Sequence, residues 1–288
     1  MLGYLLMLLY SVLNILESMV VKAYAVRHKS GGMVMNAVIA FFSALFILFT
    51  IIKEGRFNVP LEMLPYAIVN CLLYAAGFYF AFLAYRVGPY GLTRLLSTFS
   101  LLFPIFYGIF FLSEPTNVFT YLGIAMIFAS MILLNCSDSK NDEGKISLKW
   151  LIYIAITVLS NGFISILVKM QQLKFNNACD NEFLLISIGG SFVLLAIIGL
   201  IMDRDKIGTV LRKGTLYGLL AGLCNGAKNF VSVLVLLLLP VSVVSPTKVG
   251  ISTVLTFVVA ILIYRERYSI WQKIGVLLGA VAVVLLAL

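Results

Sequence analysis

Lipid offers a polypeptide no hydrogen bonds, so a chain that crosses it must satisfy every backbone N–H and C=O internally. This chain meets that condition ten times. Apolar runs of about 20 residues, the length that spans a hydrocarbon core, fall near 2–26, 32–52, 64–86, 91–112, 118–135, 149–171, 182–202, 213–238, 242–264 and 269–288. Each reads as a helix, because an open strand at that depth would leave its backbone unpaired. Of 288 residues 62% are hydrophobic and 11% charged, where soluble domains carry roughly 25% charged. The expectation is an all-α integral membrane protein of ten transmembrane helices, multi-pass in the plasma membrane. The first run lacks the basic start and small-residue cleavage site of a signal peptide and reads as a retained span.

The runs are written twice. Ser97–Gly123 returns as Val249–Gly275, with Ser100 on Ser252, Ile109 on Ile261, Glu114 on Glu266 and Gly123 on Gly275. The opening helices align as well: Asn14, Ser18 and Lys22 meet Asn161, Ser165 and Lys169. The polar stretch Asn135–Lys149 separates five runs from five. The domain reading is therefore a first repeat at 1–135, a loop at 136–148 and a second repeat at 149–288. An odd number of spans per half inverts the second half relative to the first, an arrangement found in secondary transporters with a site at the repeat interface.

Six charged residues fall inside the runs: Glu17, Lys22, Arg94, Lys169, Lys228 and Lys248. A charge at the bilayer centre costs at least ~2.5–3.5 kcal/mol, so each needs a partner or a function. Lys22 and Lys169 lie near helix ends and read as snorkelling. Lys228 sits midway along its run between Asn225 and Asn229, and Lys248 follows Pro246. Arg94 follows the Gly88-Pro89 break that opens the fourth run. With Glu17 the one evident acid, the interior is expected to keep an excess of positive charge. Asn14 and Asn161 share a helix face with Ser18 and Ser165 by their spacing and are read as cavity-lining. In the third run Tyr74, Phe78, Tyr79 and Phe82 form an aromatic set suited to packing or to a cation–π wall. Gly218, Gly222 and Gly226, and Gly275 and Gly279, recur every four residues and favour close helix packing. The second stripe is alternatively a contact between protomers of a homodimer.

Other chemistries lack their parts. The sole histidine, His28, lies in a basic connection, and no Ser/His pairing, HExxH or Walker loop is present. The four cysteines show no paired spacing, so neither disulfide nor zinc is expected. No cofactor and no nucleic-acid partner is implied; the partners expected are a small-molecule substrate, the bilayer and a coupling ion.

The first-half segment AAGFYFAFLAYRVGPYGLTRLLSTFS and the corner SEPTNVFTYLG, echoed by IYRERYSIWQKIGVLLG near the end, resemble the drug/metabolite transporter superfamily, in its EamA-like ten-helix branch. That resemblance implies helices one to four and six to nine around a central cavity, helices five and ten outside it, and alternating access. Two departures stand out. The family's glycine before the corner glutamate is here Ser113 and Arg265, and the membrane glutamate of smaller multidrug relatives is replaced by Asn14 and Asn161. The family topology puts both termini in the cytoplasm. The bias of Lys and Arg toward connections after odd-numbered runs puts them outside, and the two disagree. The reading that follows is a secondary transporter of a small organic solute, anionic in preference, held by Lys228, Lys248 and Arg94 with the asparagines reading its polar groups. The alternatives are a proton-coupled exporter of cationic drugs or amines centred on Glu17, and a membrane accessory protein that transports nothing.

Overall fold

The computed structural model describes residues 2–28, 31–55, 57–112, 118–135, 147–176, 178–238, 241–266 and 268–285. Among them are twelve α-helices and no strand: α1 (Leu2–His28), α2 (Gly32–Glu54), α3 (Leu64–Val87), α4 (Tyr90–Ser97), α5 (Leu102–Phe111), α6 (Val118–Asn135), α7 (Leu148–Phe175), α8 (Asp180–Met202), α9 (Ile207–Lys213), α10 (Thr215–Leu238), α11 (Val241–Leu262) and α12 (Ile270–Leu285). Five segments of the described residues, Leu2–His28, Gly32–Glu54, Leu61–Val87, Leu148–Phe175 and Asp180–Met202, are long and apolar enough to cross a membrane. Polarity runs from the inside out. Phe49, Ile52 and Leu277 are at least 64% exposed, while Ser43, Asn70, Ser187 and Ser191 are fully buried. Apolar surface on this scale needs lipid against it. The protein is all-helical and membrane-embedded.

The fourth apolar run is not one helix. α4 ends at Ser97, a tighter turn covers Thr98–Leu101, and α5 begins at Leu102. Pro104 lacks an N–H and its ring crowds the carbonyl four residues back, which loosens the preceding turn. Hydroxyls fill in for the disturbed ladder: Ser97 Oγ donates to Thr93 O (2.8 Å), Thr98 Oγ1 to Leu95 O (2.6 Å) and Ser100 Oγ to Ser97 O (2.9 Å).

Helices of the first half pack mainly on helices of the second. α1 lies on α10, and α7 on α3; α2 packs on α10, and α8 on α3; α2 meets α8, and α6 meets α12. Exchanging the halves maps this set of pairs onto itself. The connections collect at two ends. At one, Met33 N–H donates to Asp203 (3.0 Å) and Lys22 Nζ to Gly88 O (2.8 Å). Arg27, Arg86, Lys149, Arg204, Lys206, Arg212, Lys213 and Arg265 make this end basic. At the other, Asn58 N–H donates to Glu182 (3.1 Å), Asn181 Nδ2 to Glu54 (3.2 Å), and Lys174 pairs with Glu62 (3.2 Å).

Both glycine stripes are used within the chain. A Cβ on Gly222 would lie 2.7 Å from Ile39 O and 3.2 Å from Ser43 N, both backbone atoms of α2. Ser43 Oγ uses the same approach to donate to Gly222 O (3.2 Å). The α12 stripe faces α6, where Ser130 Oγ donates to Gly275 O (2.7 Å) and would meet a Cβ on Gly279 at 2.9 Å. It therefore packs on a neighbour of the same chain, where the sequence had left a contact between protomers open. Gly222→Val should cost about 1–3 kcal/mol through overpacking and lower the melting temperature in detergent. Gly208→Ala, whose Cβ meets nothing within 4 Å, should leave it unchanged.

Candidate functional site

A cavity of about 350 Å³ lies between the halves at the middle of the long helices. From α1 it takes Tyr10, Asn14, Glu17, Ser18 and Val21, and from α7 Thr157, Asn161, Ile164 and Ser165. Adding 147 to the first four α1 positions gives the four α7 positions. α3 supplies Tyr74, Gly77, Phe78, Ala81 and Tyr85, and α10 supplies Asn225, Lys228 and Asn229. Adding 151 to the first three α3 positions gives the α10 positions. The remaining wall comes from Asn36 and Ile39 on α2 and from Arg94, Ser97, Thr98 and Ser100 at the break between α4 and α5. Irregular backbone at membrane depth is tolerated where protein or a cavity covers it, and here it faces the cavity.

Among the described residues three charges meet this space, and two of them cancel. Lys228 Nζ forms a close ion pair with Glu17 Oε2, their side chains 15% and 12% exposed. Asn225 Nδ2 donates to the other Glu17 oxygen (2.8 Å), Lys228 Nζ also donates to Asn14 Oδ1 (3.3 Å), and Asn229 Nδ2 to Asn225 Oδ1 (3.3 Å). The asparagines thus hold the ion pair at one wall. Arg94 has no carboxylate within ion-pair distance among the described residues. Its hydrogen bond is a long one, to Asn14 O at 3.5 Å. One carboxylate against two cations leaves the described lining with a net charge of +1, placed on a guanidinium with donors to spare.

The Asn14, Ser18, Lys22 stripe of α1 is the seam along which α4 is held. Arg94 meets Asn14, Tyr90 Oη lies 2.7 Å from Ser18 Oγ, and Lys22 Nζ caps Gly88 O. Lys22 does not snorkel. It is 8% exposed, and its ammonium sits 5.3 Å from the centroid of the Tyr264 ring. On its other side α4 meets α7, where the fully buried Trp150 donates its indole N–H to Thr93 Oγ1 (2.9 Å). At the α4 N-terminus Glu266 accepts the backbone N–H of Tyr90 on one oxygen and that of Gly91 on the other (2.9 Å). Tyr268 OH donates to the second oxygen as well. Burial first, and the Glu266 charge second, push the Tyr268 phenol well up, so it remains the donor. The backbone of Arg265 is left-handed (φ 52°), a conformation glycine adopts freely, and this accounts for the glycine that the resemblance leads one to expect at the corner.

Asn14, Glu17, Arg94, Asn161, Asn225, Lys228 and Asn229 are thus brought together in one space. Tyr79 is not. On α3 the cavity-facing positions 74, 77, 78, 81 and 85 form one stripe, and residue 79 lies about 100° round the helix from 78. Its ring packs toward Gly32 on α2 and against Phe80. Phe82 is fully buried on that side too. The side chain of Lys248 and Glu114 lie outside the described residues. Tyr10, Tyr85, Ser97, Thr98 and Thr157 were not foreseen. The shift of 147 applied to Thr157 would have pointed to Tyr10, and the Ser-Thr-Phe-Ser run before Pro104 marked the break.

No protein-family model matches the chain, and no curated protein does. Twenty-two chains of solved structure match. One, a crystal structure described only as that of a protein, is 15% identical, superimposes with a TM-score of 0.52, and is matched over 99% of this chain and 96% of its own. At that identity the likeness speaks for the fold alone.

Removing one partner of a buried ion pair strands the other charge and costs about 3–5 kcal/mol, whereas replacing both with neutral groups of similar shape is close to neutral. Glu17→Gln and Lys228→Met should each destabilise the purified protein strongly. The double variant should recover most of the loss, as read by thermal unfolding in a double-mutant cycle.

Proposed function

We propose that the chain is a secondary active transporter that moves a small organic anion across the cell membrane by alternating access. In this reading ten spans form two inverted five-helix repeats, as in the EamA-like branch of the drug/metabolite transporter superfamily that the sequence resembles. The observation that carries it is the cavity: it lies midway between the two ends of the bundle, is lined at matching positions of both halves, and keeps one guanidinium with no carboxylate partner among the described residues. A helix pairing that maps onto itself when the halves are exchanged supports the inverted repeat, whose interface is where such transporters hold their substrates. Arg94 supplies planar, bidentate recognition of a carboxylate or phosphate oxygen pair. Asn161, Ser165 and Tyr74 on the other walls offer donors and acceptors to the rest of the solute. The basic end fits the cytoplasmic side by the bias of lysine and arginine.

The cation-exporter reading is weaker on the same geometry. Glu17 already accepts from Lys228 and Asn225, so a cationic drug would have to displace an internal ammonium. Of the aromatic set only Tyr74 and Phe78 reach the cavity. Thermal unfolding of the detergent-purified protein against matched anionic, cationic and neutral metabolites separates the readings, since a ligand of the native state at 100 times its Kd adds about 2.7 kcal/mol. Anions should stabilise the wild type, Arg94→Ala should abolish the effect, and Arg94→Lys should keep a fraction of it. Stabilisation by cations alone would reverse the sign of the substrate. Silence across the panel, joined to absence of counterflow in proteoliposomes, would favour the accessory protein.

A further inference from the structure

The acid at the helical corner is among the residues the sequence repeats, and solute binding gives it no work. The copy at Glu266 has a specific place in the fold. It stands after α11, in the second half, and its carboxylate grips the first two N–H groups of α4, in the first half. A carboxylate there also meets the positive end of the helix dipole. The corner is shaped for this grip. Arg265 holds a left-handed backbone conformation, and Glu266 N–H bonds back to Ala260 O (3.0 Å). A Cβ on Gly91 would come within 3.0 Å of Glu266 Oε2 and 2.8 Å of Ala260 Cβ, so α4 can approach only because that residue is glycine. The contact lies at the basic end, where Tyr90 also stacks on Tyr264 with ring centroids 4.6 Å apart. Arg94 is one helical turn along α4 from Tyr90.

We propose that Glu266 is a latch: by holding the N-terminus of α4 it keeps the basic end of the bundle closed, and its release moves α4, with Arg94, as that end opens. The proposal rests on the transporter reading for its purpose, but its test needs no solute. Trp150 reports α4 directly, because its indole N–H is bonded to Thr93. With Trp271→Phe in the background, the emission of Trp150 should shift to the red in Glu266→Ala as the indole loses Thr93 and meets water. Tyr268→Phe, which removes one donor from the carboxylate and leaves both backbone bonds, should shift it less, and Glu266→Gln should fall between. Nitroxide pairs then read the two ends in the full chain with its four cysteines replaced. Val87 and Lys273, both exposed, report the basic end. Lys53 and Lys174, both exposed, report the opposite end.

The expected result in Glu266→Ala and Glu266→Gln is a second population at the basic end, longer by on the order of 5 Å, about one helical turn, with the opposite pair shortening. Unchanged distances and emission in correctly folded Glu266→Gln would overturn the latch. Lengthening at the basic end alone would also overturn it, reducing Glu266 to a local helix cap. A moving latch in a protein that no anion stabilises would leave the latch standing and remove the anion reading. Anion stabilisation with immobile ends would do the reverse.

Discussion

Lys228 sits midway along α10 with its side chain only 15% exposed, and much of the interior is arranged around its charge. An unpaired ammonium at the bilayer centre costs at least ~2.5–3.5 kcal/mol, and the protein answers with a carboxylate on the facing helix. Once Glu17 is committed to Lys228, Asn225 satisfies its second oxygen and Asn14 takes a further ammonium proton. The pair then adds no net charge to the wall. The sign of the cavity passes to Arg94, which has no acid of its own among the described residues. A structural ion pair thus leaves the net charge of the neighbouring space to a residue outside the pair.

The same reasoning explains why the backbone is broken in the fourth apolar run. Lipid punishes an open carbonyl, so a helix can be interrupted at depth only where other groups supply the missing bonds. Ser97, Thr98 and Ser100 do so from within the run, while α1 and α7 hold the short α4 from two sides through Ser18, Lys22 and Trp150. Arg94, Ser97 and Thr98 share a face by their i, i+3, i+4 spacing, and the break brings Ser100, which a continuous helix would turn away, onto the same cavity wall.

Hydropathy pointed to an all-helical, membrane-embedded chain, because a hydrocarbon core permits few alternatives, but it did not show the break in the fourth run or the short α9. Side-chain direction was legible only where a stripe had two or more polar members. Asn14 and Asn161 were read as cavity-lining from a polar stripe that Ser18 and Ser165 share and that the two halves repeat. Tyr79 failed because the third run is aromatic on more than one face, so composition left its direction open by a full 100°. Lys22 misled for a different reason. Distance from the helix end predicts snorkelling only if nothing nearer wants a proton donor, and the open Gly88 carbonyl was a tertiary fact. The Glu17–Lys228 pair was likewise hidden, since its members are 211 residues apart and come from non-equivalent positions of the two repeats.

That non-equivalence bears on how such a protein works. Under the shifts of 147 and 151 residues that relate the lining helices, Asn14 and Ser18 keep their chemistry at Asn161 and Ser165, while Glu17 becomes Ile164 and Lys228 answers to Gly77. The place of the ion pair between α1 and α10 is taken, between α7 and α3, by an uncharged contact, where a Cβ on Gly77 would sit at an ordinary 3.4 Å from Asn161 Oδ1. A symmetric scaffold supplies two related packings of similar energy, which exchange between inward- and outward-facing forms requires. On the transporter reading, the asymmetric charge pattern would hold the solute on one side of that scaffold. Arg94 has Pro246 at the corresponding place in the second half, so its guanidinium has no twin there. When the halves exchange roles, the bound solute would stay with α1 and α4 while the opposite wall, α7 and α3, changes its distance from them.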